Sequence, residues 1–285
     1  MSRIAYVNGR YLPDAQAKVA IDDRGYQFAD GVYEVCEVRG GRLVDERRHM
    51  ARLDYSLNEL RIARPMSAAA LSIVLRETVR RNRVRDGIVY LQITRGVARR
   101  DFAFPPTDTR PAVVVTARSN DLARLEQLAT EGIAVITVPD IRWQRVDIKS
   151  VALLANVLAK QSAREQGARE AWLVDEAGCI TEGASSNAWI VSRDGKLITR
   201  PLGRDILSGI TRSVVIDVIK GQGLAFEERA FTVEEAYGAR EAFVTSASQI
   251  VLPVVSIDGR PIGNGAPGLI ATALRRDYHR RAEIS

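Results

Sequence analysis

Two kinds of apolar periodicity alternate along this chain of 285 residues, and their order limits the folds it can adopt. Runs in which every second residue is apolar, typical of strands, are followed by runs with apolar residues three or four positions apart, typical of helices. The first run, IAYVNGRYL, is divided by Asn8-Gly9, a strong short signal for a β-hairpin. No repeat with a period of about 20–50 residues is present. The pattern predicts a mixed α/β (α+β) fold.

The predicted elements form two groups on either side of a polar segment. The N-terminal group has strands at GVYEVCEVRGGRLV, GIVYLQITRG and PAVVVTAR, and helices at 45–62 and 67–81. The C-terminal group has strands at IAVITVP, EAWLVDE, NAWIVSR and KLITR, and helices at 151–166, 210–222 and 266–282. The segment RSNDLARLEQ, residues 118–127, is the predicted linker. We therefore predict two domains, 1–118 and 119–285.

Composition argues against several classes of function. Two cysteines and two histidines are too few for a thiolate-imidazole zinc site, so no metal is expected. The net charge is +6, but the arginines are interleaved with acids, so no nucleic-acid partner is expected. No apolar run reaches about 18 residues, and the polar start MSRIAYVNGR does not resemble a signal peptide. These features predict a cytoplasmic protein without a membrane segment.

Lys149 is one of five lysines among 41 basic residues and lacks an obvious surface role. It precedes a predicted helix whose apolar stripe is Leu154, Val157 and Leu158, with Lys160 on the polar side. An arginine stays protonated, whereas a lysine amine can act as a nucleophile. An ion pair with the nearby Asp147 explains the same position, so other segments must decide.

The segment ITEGASSNAWIV, residues 180–191, places Glu182 among small residues just before an apolar strand. Small residues allow a flat ligand to approach the backbone, and a buried acid needs a partner for its charge. A pyridinium nitrogen is one such partner. A loop acid that caps nearby amides is an equally good explanation.

Two segments have features of a phosphate site. In LSGITRSVV, Gly209, Ile210 and Thr211 would open a helix, where free amides and the helix dipole stabilise a phosphate. N-capping by Ser208 explains the same residues. The segment VTSAS, residues 244–248, ends a strand in small hydroxyl residues and would close the opposite side of the phosphate.

The segment DRGYQFADGVYEV, residues 23–35, leads into a strand with two different faces. Tyr33, Val35 and Glu37 share one face, and Glu34 and Cys36 share the other. Tyr33 would therefore direct its phenol into a site, or pack half-buried with its hydroxyl at the surface.

Taken together and in this order, the segments resemble the fold-type IV aminotransferases that use pyridoxal 5′-phosphate, most of all the D-amino-acid (D-alanine) aminotransferases. The resemblance covers nearly the whole chain and rests on DRGYQFADGVYEV, HMARL, TRGVARR, DIRWQRVDIKS, LAKQ, TEGASSN, ILSGITR and FVTSAS. It implies transamination of D-alanine or D-glutamate with 2-oxo acids such as 2-oxoglutarate or pyruvate. It also implies a homodimer, with the cofactor between the two domains.

The resemblance further implies a role for each matching residue. Lys149 would form the Schiff base with the cofactor and carry the proton, and Glu182 would pair with the pyridine nitrogen. The other cofactor contacts would come from Arg52, Ser185, Leu207, Ile210, Thr211, Ser246 and the backbone of Ala247. The substrate would be bound by Tyr33, Val35, Ser186 and Arg100, the last reaching in from the partner subunit.

One position departs from the family's pattern. The family arginine that matches Arg100 is followed two residues later by a histidine, and here that residue is Phe102. Losing one hydrogen bond to a carboxylate costs about 1.5–3 kcal/mol, so weaker substrate binding is expected. The retained Arg100 argues against a branched-chain L-amino-acid or (R)-amine transaminase. These two transaminases and an aminodeoxychorismate lyase of the same fold are the alternatives, and the sequence does not rank the side chains accepted.

Overall fold

The computed structural model describes residues 3–285 and divides the chain into two compact units. Unit 1 contains the residues up to Asp121, together with Ile148–Ala152 and Glu283–Ser285. Unit 2 contains Leu122–Asp147 and Leu153–Ala282. The segment that carries Lys149 therefore packs with the N-terminal part of the chain, although the predicted domains assign this lysine to the C-terminal part.

Unit 1 is built on one antiparallel sheet. Its strands are β1 (Ile4–Val7), β2 (Arg10–Pro13), β3 (Gly31–Arg39), β4 (Arg42–Leu43), β5 (Gly87–Thr94) and β6 (Ala112–Ser119). Its helices are α1 (Arg24–Phe28), α2 (Glu46–Glu59) and α3 (Ala68–Arg81), with a 3-10 turn at Asp14–Gln16. The six strands are ordered β2-β1-β6-β5-β3-β4. Asn8 and Gly9, with φ of 46° and 95°, form the turn between β1 and β2, which confirms the predicted hairpin.

The two faces of β3 have different surroundings, as the sequence predicts. Val32, Glu34, Cys36 and Val38 are buried, whereas Tyr33, Val35 and Glu37 are half-buried. The buried face packs against α2, whose Leu53 and Leu57 share a core cluster with Val32. Because side chains alternate along a strand, Tyr33 and Val35 point away from that core.

Unit 2 is built on a mixed sheet. Its strands are β7 (Ile133–Pro139), β8 (Glu170–Val174), β9 (Ile180–Gly183), β10 (Asn187–Val191), β11 (Leu197–Thr199), β12 (Phe226–Glu228), β13 (Glu241–Ser246), β14 (Ile250–Ile257) and β15 (Arg260–Pro261). Its helices are α4 (Leu122–Glu131), α5 (Leu154–Glu165), α6 (Ile210–Gly221), α7 (Val233–Tyr237) and α8 (Leu269–Arg281). The strands are ordered β12-β11-β10-β13-β14-β7-β8-β9, and β15 pairs with β14. Parallel pairs join β7 to β14 and β8, which confirms the mixed class. Among residues 3–285, none of the helices has the length and apolarity needed to cross a bilayer.

The predicted linker at residues 118–127 is wrong for most of its length. Strand β6 continues to Ser119, and α4 begins at Leu122. Although this segment is rich in polar residues, it forms an amphipathic helix in which Leu125 is half-buried and Leu128 and Ala129 are buried. Asn120 and Asp121 are the residues left between the two elements.

The expected orientation of α5 is also wrong. Leu154, Val157 and Leu158 are 72%, 57% and 54% exposed, and the helix buries Ala159 and Ala163 instead. Lys160 is half-buried, and its Nζ is 3.0 Å from Oε1 of the buried Glu170 on β8. Small side chains at the two alanines allow the helix to lie close to β7 and β8.

Candidate active site

Backbone hydrogen bonds fix the segment that carries Lys149 beside β3. The amide of Tyr33 donates to the Lys149 carbonyl at 3.0 Å, and the amide of Val151 donates to the Gly31 carbonyl at 3.0 Å. The Lys149 amide donates to Ser56 Oγ at 3.1 Å. Ile148 belongs to the core of unit 1, whereas Lys149 is half-buried.

The side-chain nitrogen of Lys149 lies over the ring of Tyr33. Nζ is 4.1 Å from the ring centroid, and no hydrogen bond or ion pair of this nitrogen occurs among residues 3–285. Asp147, the acid that provided the alternative explanation, pairs with Arg145 at 2.8 Å. A half-buried amine that no carboxylate holds is chemically suited to act as a nucleophile.

Tyr33 also contacts β5 on the same face of the sheet. Its ring stacks on Tyr90 with centroids 5.7 Å apart, and the Tyr90 hydroxyl donates to Gln92 Oε1 at 2.7 Å. Burial, and to a lesser degree the proximity of Tyr33, raise the pKa of Tyr90 to about 12. The phenol of Tyr90 therefore stays protonated near neutral pH. The structure thus brings Lys149 and the predicted substrate residue Tyr33 together within unit 1.

Arg52 is buried on α2 and binds an acid from outside its own helix. Its Nε and Nη2 donate to the two carboxylate oxygens of Glu34, each at 2.8 Å. His49 Nδ1 lies 2.8 Å from Glu34 Oε2. Burial alone would raise the pKa of Glu34, but the Arg52 charge and the hydrogen bonds from Arg52 and His49 outweigh it and hold the pKa below its ordinary value. Arg52 is therefore held in one orientation by a paired carboxylate.

Glu34 and His49 were not predicted as site residues, although signals for both are present. His49 precedes Arg52 by three positions and so lies on the same helix face. Glu34 falls on the buried face of β3, where a carboxylate needs a cation.

Arg100 lies on the exposed loop of residues 95–111, between β5 and β6. Its guanidinium carbon is 5.1 Å from the ring centroid of Phe28 and 5.9 Å from that of Phe102. Phe102 is 82% exposed, and its ring lies 5.6 Å from Phe28. No hydrogen bond joins Arg100 to Tyr33 in the part of the chain that is described, residues 3–285. Within one chain, the two predicted carboxylate-binding residues are thus not joined.

In unit 2, the carboxylate of Glu182 is bound at both oxygens. Oε2 accepts from Asn187 Nδ2 at 2.8 Å and from the Leu207 amide at 3.2 Å. Oε1 accepts from Arg142 Nη1. Glu182 is buried on β9, so the arginine balances its negative charge. The sequence correctly places Glu182 before an apolar strand, but its main partners were not predicted.

Arg142 is itself held by Asp140. Its Nε and Nη2 donate to the two Asp140 oxygens at 2.9 and 2.7 Å, and Thr181 Oγ1 donates to Asp140 Oδ2 at 2.8 Å. Burial would lower the pKa of Arg142, but its bonds to Asp140 and the charge of Glu182 raise it further above its ordinary value. Arg142 lies in the motif DIRWQRVDIKS, which could have identified it.

Helix α6 begins without a hydrogen bond to the side chain of its N-cap residue. Gly209, and not Ser208, is the N-cap residue, and it has no side chain to accept from the first amides. A Cβ on Gly209 would overlap Oδ1 of Asn187, which explains why the smallest residue is needed here. Ile210 and Thr211 follow as the first helical residues. Their amides point toward the end of the helix, where an anion is favoured.

Ser246 ends β13 with a buried hydroxyl oxygen that has no hydrogen-bond partner among residues 3–285. Its neighbour Thr245 pairs across strands with Asn187, and α6 packs against β13. A buried hydroxyl without a partner calls for a ligand atom. The N-terminus of α6, whose N-cap is a glycine, and the unsatisfied Ser246 therefore fit a phosphate group, and Ala247 follows Ser246 in the chain.

Ser185 and Ser186 share an acidic hydrogen-bond partner. Both hydroxyls donate to Oε2 of the buried Glu170, at 2.8 and 3.0 Å. Lys160 pairs with the other Glu170 oxygen. Each serine proton is thus used by Glu170, and the lone pairs of each hydroxyl oxygen can still accept from a ligand.

Residues 31–257 match the family model described as Amino-transferase class IV. The chain therefore belongs to the class IV aminotransferases, enzymes of fold type IV that depend on pyridoxal 5′-phosphate.

Relatives and solved structures agree with this membership. The D-alanine aminotransferase of Bacillus licheniformis is 44% identical over 261 residues, which are 92% of this chain and 90% of that protein. The D-alanine aminotransferase of Staphylococcus aureus (strain MSSA476) is 38% identical over 278 residues, 98% and 97% of the two chains. A branched-chain amino acid aminotransferase from Escherichia coli has a TM-score of 0.89 at 25% identity, covering 98% and 94% of the two chains. A branched-chain aminotransferase from Thermoproteus uzoniensis, solved with norvaline, has a TM-score of 0.87 at 26% identity, covering 100% and 99%.

Proposed function

We propose that this aminotransferase transfers the amino group of a D-amino acid, D-alanine or D-glutamate, to a 2-oxo acid such as 2-oxoglutarate or pyruvate. The observation that carries the proposal is Lys149, whose Nζ lies 4.1 Å from the Tyr33 ring centroid and has no carboxylate partner among residues 3–285. Relatives named D-alanine aminotransferases, which match more than nine-tenths of the chain, support the D configuration.

The cofactor would be pyridoxal 5′-phosphate, on which the class IV aminotransferases depend. When bound, this group supplies an aldehyde that takes up the amino group and a ring that accepts electrons from the substrate Cα. The residues that would hold it are Lys149, Arg52, Glu182, Ser185, Leu207, Ile210, Thr211, Ser246 and Ala247. Glu182 would keep a proton on the ring nitrogen, because Arg142 and Asn187 hold its carboxylate in place. Ser246 and the first amides of α6 would bind the phosphate, together with Arg52.

Lys149 would move the reacting proton. Its Nζ would accept the proton from the substrate Cα, since an amine without an ion-pair partner is not tied up by a carboxylate. The Tyr33 ring below the amine limits the directions from which a substrate can approach.

The substrate would be held by its α-carboxylate and its side chain. Tyr33 and Arg100 would bind the carboxylate, with Arg100 supplied by the partner subunit of a cytoplasmic homodimer. Val35 and Ser186 would border the side chain. The exposed position of Arg100 on its loop supports a role outside its own unit.

The test is an assay of the purified holoenzyme with D-alanine, L-alanine, branched-chain L-amino acids and (R)-phenylethylamine, each with 2-oxoglutarate and with pyruvate. Activity with D-alanine and D-glutamate is expected. Activity confined to L-amino acids would contradict the proposal. Borohydride reduction followed by peptide mass analysis should find the cofactor on Lys149, and Lys160→Ala serves as the control for loss of another lysine.

Branched-chain L-amino acids are the second candidate substrates. The solved structures with the TM-scores of 0.89 and 0.87 are branched-chain aminotransferases, which favours this possibility. Their identities to this chain, 25% and 26%, are lower than the 38% and 44% of the D-alanine aminotransferases. The same assay separates the two candidates.

A further inference from the structure

Arg24 makes two kinds of contact with the loop of residues 95–111, which carries Arg100. Its amide donates to the Gly96 carbonyl at 2.9 Å, at the start of the loop. Its side-chain Nη1 donates to the carbonyl of Asp101 at 2.6 Å. Asp101 directly follows Arg100, so the buried Arg24 holds the loop both at its base and next to Arg100.

Asp30 sets the orientation of the Arg24 side chain. Arg24 Nε donates to Asp30 Oδ2 at 2.8 Å, and the Arg24 side chain is 4% exposed. Arg95 also pairs with Asp30, at 2.7 Å. Because Asp30 has two arginine partners, it keeps a positive neighbour when one of them is removed, which makes Arg24 a suitable position for substitution.

The Phe28 ring makes a second connection between Arg24 and Arg100. The Phe28 ring centroid lies 4.8 Å from the Arg24 guanidinium carbon and 5.1 Å from that of Arg100. The face of an aromatic ring attracts a guanidinium at these distances. Phe102 packs against Phe28 at 5.6 Å. The position of Arg100 thus depends on the Arg24 bond to the adjacent carbonyl and on a ring that both arginines share.

We propose that Arg24, oriented by Asp30, is a positioning residue that fixes Arg100 for binding of the substrate α-carboxylate. This inference rests on the carboxylate-binding role proposed for Arg100. Arg24 does not touch the substrate; it acts by holding the loop. A shift of about 1 Å in a binding group can cost up to about a hundredfold in activity, so the loop must be firmly held.

The test measures the binding of pyruvate to the holoenzyme by calorimetry, since pyruvate has the carboxylate but no amino group to transfer. Four proteins are compared: wild type, Arg24→Met, Arg100→Met and the double variant. Arg100→Met should weaken binding about tenfold or more, the value of a hydrogen bond to a charged group. Arg24→Met should also weaken it about tenfold, and the double variant should match Arg100→Met within about twofold.

Two controls separate positioning from general loss of stability. Arg76→Met removes another arginine–carboxylate pair of unit 1, with Glu46, and its partners Glu46 and Ser72 lie outside the loop. This variant should bind pyruvate as wild type does. Arg24→Lys keeps the charge but cannot bond Asp30 and Asp101 as a fork, so its affinity should fall between wild type and Arg24→Met. It also provides a second variant if Arg24→Met does not fold.

Any other result contradicts the positioning role of Arg24. The results differ in whether they also contradict the carboxylate-binding role of Arg100. If Arg100→Met binds pyruvate as wild type does, the carboxylate role of Arg100 fails and the inference fails with it. If Arg100→Met weakens binding but neither Arg24 variant does, or if the Arg24 and Arg100 effects add, the role of Arg100 stands and Arg24 does not position it. A loss in Arg76→Met equal to that in Arg24→Met would assign the effect to stability.

Discussion

Arg52 and Glu34 form a two-bond pair in which Nε and Nη2 of the arginine each lie 2.8 Å from a carboxylate oxygen. The pair is buried, and its two parallel bonds use one edge of the guanidinium. A phosphate at Arg52 would therefore meet a guanidinium whose orientation is already fixed by the protein.

Glu34→Gln should weaken both folding and cofactor binding. The neutral amide leaves the Arg52 charge uncompensated in the core, and breaking a buried pair costs about 3–5 kcal/mol. Urea unfolding of the apoprotein and titration with pyridoxal phosphate measure the two effects. Glu37→Gln, on the half-buried face of the same strand, is the matched control. Equal unfolding free energies and equal cofactor affinities in the two variants would contradict a role for Glu34 in holding Arg52.

The same pair predicts a dependence of stability on pH. The pKa of Glu34 is below its ordinary value in the folded protein, so the unfolded chain binds its proton more readily. The contribution of Glu34 to the free energy of unfolding is therefore complete above the ordinary pKa of about 4.3 and is lost as pH falls toward the folded pKa. Between about pH 5 and pH 3, wild type should lose stability more steeply than Glu34→Gln in urea unfolding. If the unfolding free energies of wild type and Glu34→Gln fall with pH at the same rate, the pair is not coupled to protonation of Glu34.

Arg142→Met should disturb the acid predicted to serve the ring nitrogen. Without the guanidinium, the buried Glu182 and the half-buried Asp140 lose their shared cation, and breaking such a pair at a buried carboxylate costs about 3–5 kcal/mol. The absorption spectrum of the bound cofactor should shift and depend more strongly on pH. Arg145→Met, which removes the pair with Asp147, is the control. A spectrum identical to that of wild type would mean that Arg142 does not act on the cofactor through Glu182.

Gly209→Ala should lower the affinity for the cofactor. The added methyl overlaps Asn187, which donates to Glu182, so the acid and the start of α6 must both move. Such overpacking costs about 1–3 kcal/mol. Gly221→Ala, at the other end of the helix, meets no atom within 4 Å and should not lower the melting temperature. Similar losses of cofactor affinity and melting temperature in Gly209→Ala and Gly221→Ala would rule out a local effect at Asn187.

Phe102→His should strengthen the binding of D-amino acids and of dicarboxylate acceptors by about tenfold, since an imidazole can donate the hydrogen bond that a phenyl ring cannot. Michaelis constants for D-glutamate and 2-oxoglutarate provide the measurement. Phe104→His, at a residue of the same loop that packs on Arg95, is the control. Unchanged constants would mean that residue 102 is directed away from the carboxylate.

Local signals predicted much of the fold because they depend on few neighbours. The Asn8-Gly9 turn needs two residues with positive φ, and the alternation along β3 follows from the pleat. The linker and α5 were predicted less well. In α4, polar residues mask the buried Leu128, and in α5 the burial of Ala159 depends on how closely a neighbouring sheet approaches.

The candidate site also combines residues that local sequence identifies with contacts that depend on the folded chain. Lys149 and Glu182 are each marked by their sequence context. The residues that lie next to them in the folded chain, such as Tyr33 and Arg142, come from distant segments. Arg142 reaches Glu182 across 40 positions of the chain, and Glu34 meets Arg52 across 18. No periodicity or short motif encodes such pairings.

The five residues Ile148–Ala152 leave the part of the chain that builds unit 2 and pack within unit 1. A gene chimera joined between residues 121 and 122 would therefore combine the Tyr33 strand of one parent with the lysine of the other. Recombination at the obvious boundary would separate two groups that must match closely in position. Functional exchange between relatives should instead require crossovers that transfer the lysine segment together with the N-terminal strands.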